Sequence, residues 1–322
     1  MKIASWLLVC AALQVWPPAS PAQTYPTKPV RVLAPFPPGS GVDIVARMIA
    51  TPLSQALGQP VVVDNRPGAA GRIACELAAR AAPDGYTLLL ANASTLAMLP
   101  SLDKHVAFDP VRSFAPITLI ASSANVLVVH PSVPATSVAA LIALAKSKPG
   151  QLNYGSAGSG NSTHLAAELF KLTAGVNLVH VSYKGTPQLL TDLLGGQIQL
   201  SFTSLVSALP YIQQGRVRPL GVTSLRRAAA LPEVPTIHES GLKNFEVNVW
   251  QGIVAPARTA PAIVAQLNRE ITKILQTPET RERLASQGLE AAADTPERFG
   301  AYIAAEFAKW SKVVRHAGIT AE

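Results

Sequence analysis

Residues 30–46 read VRVLAPFPPGSGVDIVA, in which an apolar run of strand length enters a Pro/Gly-rich turn and then a helical pattern. Gly39, Ser40 and Gly41 place small residues with accessible backbone N–H groups where this helix begins. A helix N-terminus carries roughly half a positive charge and several unpaired donors, and it therefore suits an anion. We predict that this turn is one half of an anion-binding site and that a later segment supplies the other half.

Residues 1–22 have the pattern of a signal peptide. Lys2 precedes an apolar run over residues 3–15, two prolines follow at positions 17 and 18, and small residues stand before the expected cleavage site at Ala22. The apolar run is too short to span a bilayer comfortably. We therefore predict that the protein is exported, with Gln23 as the first mature residue.

The remaining 300 residues are poor in charge. Charged residues make up 14% of the chain, against about 25% in typical proteins. Without Lys2 the chain has 26 basic and 19 acidic residues, a net charge of +7. The basic residues are scattered rather than clustered, which argues against nucleic acid as a partner. Cys75 is the only cysteine after the signal peptide, so no internal disulfide forms, and its apolar helical context predicts a buried, unreactive thiol.

Strand-like and helix-like segments alternate along most of the chain, a pattern typical of an α/β fold with parallel strands and covering helices. We predict two lobes around a cleft, linked by a double crossover near residues 121–124 and 220–224. Lobe 1 would comprise residues 23–121 and 222–322, and lobe 2 residues 122–221. At the first crossover the pattern predicts two short strands, over residues 116–121 and 126–130. We expect the strand at residues 218–223 to return to the first lobe.

The segment at residues 155–163, GSAGSGNST, repeats the design of the first turn, with a strand before it and a helix after it. It has two interpretations: a second anion-binding loop, or a capped helix start with Ser162 or Thr163 as the N-cap. Neither loop contains Lys or Arg, and residues 91–95, after another strand, also lack both. An anion would therefore be held by backbone N–H groups, hydroxyls and helix dipoles instead of a salt bridge.

Catalytic motifs are absent from the sequence. The first turn lacks the third glycine of a dinucleotide loop, because Ile44 occupies that position, and no serine has the spacing of a nucleophile elbow. The six histidines show no metal-ligand spacing, and only His164 adjoins a candidate loop, where it is either a structural residue or a base. Asp43 is either a helix-stabilising residue of the first turn or a direct ligand contact. We predict a binding protein that is not an enzyme and needs no cofactor or metal.

The chain resembles the Bug family, the TctC-like solute receptors of tripartite tricarboxylate transporters. The resemblance lies in residues 25–31 and 35–43 (YPTKPVR and PFPPGSGVD) and in four further segments, at residues 65–71, 83–89, 183–185 and 310–319. It implies a type II-like periplasmic binding fold whose lobes close on a small carboxylated or amide-bearing metabolite. It also implies a monomer that works with the membrane permease subunits of the transporter. A receptor acting on a sensor kinase, or an enzyme on the same fold, are the alternatives.

We predict three groups of ligand-binding residues; the resemblance implies all of them except Asp43 and His164, which are candidates from their places beside the two loops. The three groups are Phe36, Pro38, Gly39, Ser40, Gly41 and Asp43 in lobe 1; Ser156, Ala157, Gly158, Ser159, Thr163 and His164 in lobe 2; and Ala91, Asn92, Ser94, Thr203 and Ser204 along the cleft. Ser40 stands where the family often has a second glycine, so it adds a hydroxyl to the site. We expect Ser40→Ala to weaken ligand binding with little change in the melting temperature of the unliganded protein.

Overall fold

The computed structural model describes residues 25–183 and 185–319; the predicted signal peptide lies outside them. Ten strands are present in this part of the chain: β1 Val30–Ala34, β2 Val61–Asn65, β3 Thr87–Asn92, β4 Phe114–Val129, β5 Asn153–Ser156, β6 Val179–Ser182, β7 Leu200–Ser204, β8 Arg218–Val222, β9 Asn248–Pro256 and β10 Glu290–Ala291.

Ten α-helices accompany these strands in the described residues: α1 Gly41–Leu57, α2 Arg72–Arg80, α3 Leu99–Leu102, α4 Val138–Ser147, α5 Ser162–Ala174, α6 Thr186–Leu194, α7 Leu205–Gln213, α8 Pro261–Gln276, α9 Pro278–Ser286 and α10 Pro296–Ala317. A 3₁₀ turn at Ala69–Gly71 and a π-helical turn at Ala93–Met98 precede α2 and α3. Across the described ranges, none of the helices combines the length and apolar character that a membrane span requires.

The opening stretch folds as its sequence predicts. β1 is followed by a turn, and α1 begins after Ser40, whose hydroxyl accepts a hydrogen bond from the Asp43 N–H. The helix ends at Gly58, where φ is +65°, a left-handed value that glycine adopts without strain. One face of α1 is buried, through Val45, Ile49 and their neighbours, so burial of this stripe fixes the helix against the sheet.

The first lobe is built on a sheet in which β2, β1 and β3 lie parallel and β9 and β4 follow in antiparallel orientation. The second lobe repeats the arrangement, with β6, β5 and β7 parallel and β4 again antiparallel to β7. Because strands of one direction share an edge, the carboxyl ends of β1, β2 and β3 lie together, and so do those of β5, β6 and β7. Both edges adjoin the middle of β4.

β4 differs from the prediction of two short strands. It is one strand of 16 residues that pairs with β9 up to Ala124 and with β7 from Asn125 onward. Partners on both sides keep residues 122–125 extended, although their sequence, SSAN, is a weak strand former. The first crossover is therefore a continuous strand shared by both sheets.

The second crossover also differs from the prediction. β8 pairs with the second-lobe part of β4 and does not return to the first lobe. The following segment stays with β8, since Val222 forms a bridge to Thr236 and the buried Leu231 and Val234 belong to the second-lobe core. The Thr223 hydroxyl donates to the Val247 carbonyl oxygen at 2.6 Å, immediately before β9 begins. We therefore propose that the second lobe extends to about residue 247.

The apolar core has three parts. One part is shared by both lobes, and each lobe has a further part of its own. The shared part spans one face of both sheets and includes Trp250, Phe170 and Trp310. Cys75, on α2, is fully buried in this shared core, and desolvation raises the pKa of its thiol to about 12. The opposite faces are covered separately, by α1 and α8 in the first lobe and by α6 and α7 in the second.

Candidate functional site

Three loops converge at the carboxyl edge of the first lobe. Gly71 lies between them: a Cβ atom placed there would be 2.6 Å from Thr95 Cγ2 and 3.1 Å from Pro35 Cβ. Its φ of +92° also favours glycine. The turn that follows β2 is therefore packed directly against the turns that follow β1 and β3, and it supports the predicted anion loop from behind.

Asp43 fixes the shape of the loop after β1. Its side chain is buried, and its carboxylate accepts hydrogen bonds from the Gly39 N–H at 2.9 Å, Arg47 Nε at 3.0 Å and Asn65 Nδ2 at 2.9 Å. Asn65 Nδ2 also donates to the Phe36 carbonyl oxygen at 3.0 Å. Burial alone would raise the pKa of Asp43, but these donors outweigh it and hold the pKa below its usual value. The carboxylate is thus occupied by protein groups.

Ser40 is the N-cap of α1. Its Oγ accepts the Asp43 N–H at 3.3 Å, so the hydroxyl has a structural partner as well as a free hydrogen. The expectation that Ser40→Ala would leave the unliganded protein almost unchanged therefore needs revision, since losing a serine cap costs about 0.5–2 kcal/mol.

The residues after β3 are arranged as a second cap. The side chains of Asn92 and Thr95 bond reciprocally to each other's backbone N–H groups, at 2.9 and 3.1 Å. Asn92 and Ala91 are both buried, and Ser94 is partly exposed. Asn92 also lies directly opposite Gln251 on β9, and directly paired residues of antiparallel strands share a face. Two amide residues therefore lie on the same face at this edge of the sheet.

The loop after β5 is held by neutral groups. Asn161 is the N-cap of α5, and its Oδ1 accepts from the Thr163 and His164 N–H groups and from Thr163 Oγ1, at 2.7–3.1 Å. Thr163 Oγ1 in turn accepts the Ala157 N–H at 2.8 Å. The structure therefore gives the cap to Asn161, not to Ser162 or Thr163. The Gly158 N–H donates to Ser156 Oγ at 3.3 Å, which closes the loop.

Each loop leaves backbone donors free at or just before the start of its helix. Within the described chain, the N–H groups of Gly41 and Val42 in the first lobe, and of Ser159 and Ser162 in the second, have no hydrogen-bond partner. All four stand in or just before the first turn of a helix, where the helix dipole favours negative charge. Both loops thus offer free backbone donors to an anion, and neither contains a cationic side chain.

The two lobes touch beside these loops. Gly160 lies next to Leu102 of α3, such that a Cβ atom at Gly160 would be 2.9 Å from Leu102 Cδ1. Leu102 ends the short helix that follows the loop after β3. The second-lobe loop therefore contacts the first lobe just beyond the loop after β3.

At the end of β7, Thr203 is fully buried and its Oγ1 has no hydrogen-bond partner among the described residues. Ser204 is partly exposed at the start of α7. Gln251 Oε1 and Asn125 Nδ2 are likewise buried without partners in the described chain. All three unpaired atoms lie on strands next to the crossover. A buried polar group without a partner lowers the stability of the folded protein. The packing of the fold gives no reason for keeping polar side chains at these three positions.

The family model described as "Tripartite tricarboxylate transporter family receptor" (TctC) matches residues 45–319 of this chain. The chain belongs to the TctC receptor family. It is also 37% identical over 298 residues to protein BugT of Bordetella pertussis, across 92% of this chain and 91% of that protein. The resemblance predicted from the sequence is thereby confirmed.

Two solved structures confirm the fold of this TctC-family chain. The R. palustris protein Rpa4515, solved with adipate, is 36% identical with a TM-score of 0.75, covering 92% of this chain and 99% of that one. MatC of Rhodopseudomonas palustris, solved with bound malate, is 30% identical with a TM-score of 0.72, covering 90% and 100%. The predicted α/β binding-protein fold is therefore correct.

Several residues that shape the candidate site of this TctC receptor were not among those predicted from the sequence. Asn65 and Gly71 brace the first loop, His180 bonds to Ser156, and Gln251 faces Asn92. The sequence could have indicated Asn65 and Gly71, because they stand at a strand end and in a turn. His180 and Gln251 lie within strands, and their partners depend on strand pairing that the sequence does not reveal.

Proposed function

We propose that this receptor binds a small carboxylate between its lobes in the periplasm and delivers it to the membrane subunits of a tripartite transporter. The observation that supports this most directly is the pair of loops, each with free N–H groups at or just before a helix start and no Lys or Arg. An oxyanion seated between the loops would accept these four donors and hold the lobes together. Neighbouring structures contain adipate and malate, which supports a carboxylate as the anion.

The number of donors is sufficient for tight binding. A hydrogen bond to a charged group contributes about 1.5–3 kcal/mol, so four of them offset the entropic cost of association and leave binding in the micromolar range or tighter. Neutral donors also avoid the desolvation penalty of several kcal/mol that a buried guanidinium incurs. We propose that Asp43 positions the first loop and does not contact the ligand, because its carboxylate would repel an anion and already has three donors.

Mass spectrometry of the protein purified under non-denaturing conditions tests this function. We expect a small carboxylate to copurify, and we expect it to raise the melting temperature when it is added back to the stripped protein. The panel should include adipate, malate, citrate, amino acids and pyridine carboxylates, with the matching amides as uncharged controls. If no carboxylate copurifies or shifts the melting temperature, or if the amides bind equally well, the proposal is wrong. Conversion of the ligand by the protein would indicate an enzyme instead.

A further inference from the structure

Two histidines are stacked behind the second-lobe loop. The rings of His164 on α5 and His180 on β6 are nearly parallel, 9° apart, with their centroids separated by 3.9 Å. The Tyr154 ring on β5 stacks on His180 at 4.9 Å. His164 is 6% exposed and His180 is partly exposed on the edge strand β6, so the stack runs from the interior toward the edge of the sheet.

Each histidine bonds to the loop in front of it. The Gly160 N–H donates to His164 Nδ1 at 2.9 Å, and His180 Nε2 lies 2.7 Å from Ser156 Oγ. Ser156 Oγ in turn accepts the Gly158 N–H at 3.3 Å. The loop residues between these attachments include Ser159, whose N–H is free. The two imidazoles therefore fix both sides of the segment that presents this donor.

The geometry requires His164 to be neutral. An imidazole nitrogen that accepts an N–H has a lone pair, so its single proton is on Nε2, which faces Glu168 Oε1 at 3.9 Å. Protonation of Nδ1 would place two hydrogens between His164 and Gly160 and break that bond. It would also put a positive charge against the neighbouring imidazole at 3.9 Å.

The surrounding charged groups do not reverse this preference. Glu168 favours protonation, but its Oε1 already accepts Tyr154 Oη at 2.6 Å and Lys171 Nζ at 2.7 Å. Lys171 and His180 oppose a further positive charge. From α10, His316 lines the same crevice as Glu168 and Lys171. Burial first, and then the charge of His180, lower the pKa of His164 to about 4, and burial also lowers the pKa of His180.

We propose that His164 and His180 are positioning residues of the carboxylate site, which in their neutral forms hold the second-lobe loop in its ligand-binding shape. They act through Gly160 and Ser156 and do not touch the ligand. This inference rests on the proposed function. The inference adds to that function a role for the two histidines: they set the pH range over which the second loop keeps its ligand-binding shape.

Substitutions that keep or remove one acceptor test the proposal. Asparagine places Oδ1 where histidine has Nδ1, so His164→Asn keeps an acceptor for the Gly160 N–H but cannot be protonated. His164→Leu removes the acceptor at similar size. His105→Asn is the matched control, because that side chain is 92% exposed on the first lobe. The probe is adipate or malate, whichever raises the melting temperature of the wild type more, measured by calorimetry from pH 7.5 to 4.

We expect His164→Leu to bind the probe at least tenfold more weakly, and His164→Asn and His105→Asn to stay within about twofold of the wild type at pH 7.5. His164 gains a proton as the pH falls toward 4, so over this range the wild type should lose affinity relative to His164→Asn, by about twofold or more at pH 4. Because both proteins are measured with the same probe at the same pH, the titration of the probe's own carboxyl groups cancels in the ratio of the two affinities. Equal binding by His164→Leu, or the same pH profile for the wild type and His164→Asn, would overturn the proposal.

Hydrogen exchange of the unliganded protein separates this inference from the proposed function. We expect the Gly160 amide to exchange at least tenfold faster in His164→Leu than in the wild type at pH 7.5, with His164→Asn intermediate and circular dichroism unchanged. Unchanged protection would show that His164 does not position the loop. A wild type that binds no carboxylate while the loop loses protection would instead refute the proposed ligand.

Discussion

The two loops proposed to bind the anion have the same design but are stabilised by different chemistry. In the first lobe a charged carboxylate, Asp43, collects donors from the loop, from Arg47 and from Asn65. In the second lobe the corresponding contacts are neutral and come from Asn161, Thr163 and two histidines. A similar donor arrangement is thus achieved once with an ion pair and once without any charge.

This difference gives the loops different responses to acid. His164 has a lowered pKa of about 4, so its neutral form favours folding, and that contribution declines as the pH falls from 6.5 through 4. The pKa of Asp43 is also lowered, so its contribution is fully present above the usual value of 3.8 and is lost only as the pH falls through its lower folded-state value. Acid should therefore loosen the second loop first.

The largest effect should come from removing the charge of the first loop. Asp43→Ala leaves donors of Gly39, Arg47 and Asn65 without their acceptor, and hydrogen bonds to a charged group contribute about 1.5–3 kcal/mol each. Arg47 is partly exposed, so water replaces some of the hydrogen bonds that it loses. We therefore expect the free energy of unfolding, measured in urea, to fall by about 3 kcal/mol. Carboxylate binding should become undetectable.

The matched control for Asp43 is Asp64, on the adjacent strand. It also pairs with arginines, Arg31 and Arg66, but at the surface. Asp64→Ala should cost less than about 1 kcal/mol and leave binding intact. If both variants lost the same stability, the first loop would not depend on its buried charge, and the contrast between the loops would disappear.

A medium effect should come from the neutral cap of the second loop. Asn161→Ala removes an acceptor for three donors, which should reduce the free energy of unfolding by about 1–2 kcal/mol and weaken carboxylate binding at least tenfold. Ser137→Ala is the control, because Ser137 caps α4 through one bond to the Ala140 N–H, far along the chain from either loop. Urea denaturation and calorimetry measure both quantities. Unchanged affinity in Asn161→Ala would show that the second loop does not bind the ligand.

The smallest effect should come from Ser40→Ala, which removes one long capping bond of 3.3 Å. We expect a loss of about 0.5–1 kcal/mol, with a threefold to tenfold loss of carboxylate affinity if the free hydroxyl hydrogen points to the ligand. Thr295→Ala is the control, since Thr295 caps α10 with a bond of the same length. If Ser40→Ala lost the same stability as Thr295→Ala and its affinity for the carboxylate did not change, Ser40 would be a helix cap and not a ligand contact.

Much of the fold was predictable because it depends on local patterns. The strand and turn of residues 30–40 and the helix that follows have apolar spacing and small residues at the helix start, which are visible in the sequence, as is the glycine at position 58 that ends the helix. The crossover was not predictable in the same way. Whether residues 122–125 break or continue a strand depends on partners from β9 and β7, which are distant in sequence.

The candidate site was also predictable only in its local features. Both loops were recognisable from their small residues at helix starts, but the roles within them were not. Asp43 and Asn161 acquire their roles from donors that converge only after folding, and His180 joins the second loop through the pairing of β5 with β6. Among the described residues, the unpaired atoms of Asn125, Thr203 and Gln251 are properties of the packed structure alone.

The burial of Cys75 has a practical consequence for watching this receptor move. Thiol reagents attack the thiolate, and a fully buried thiol with a pKa near 12 is almost entirely protonated and inaccessible at neutral pH. Surface cysteines introduced on the two lobes can therefore carry a pair of fluorescent dyes while the native side chain stays unlabelled. The slow modification of Cys75 itself then reports how often α2 separates from the sheet beneath it.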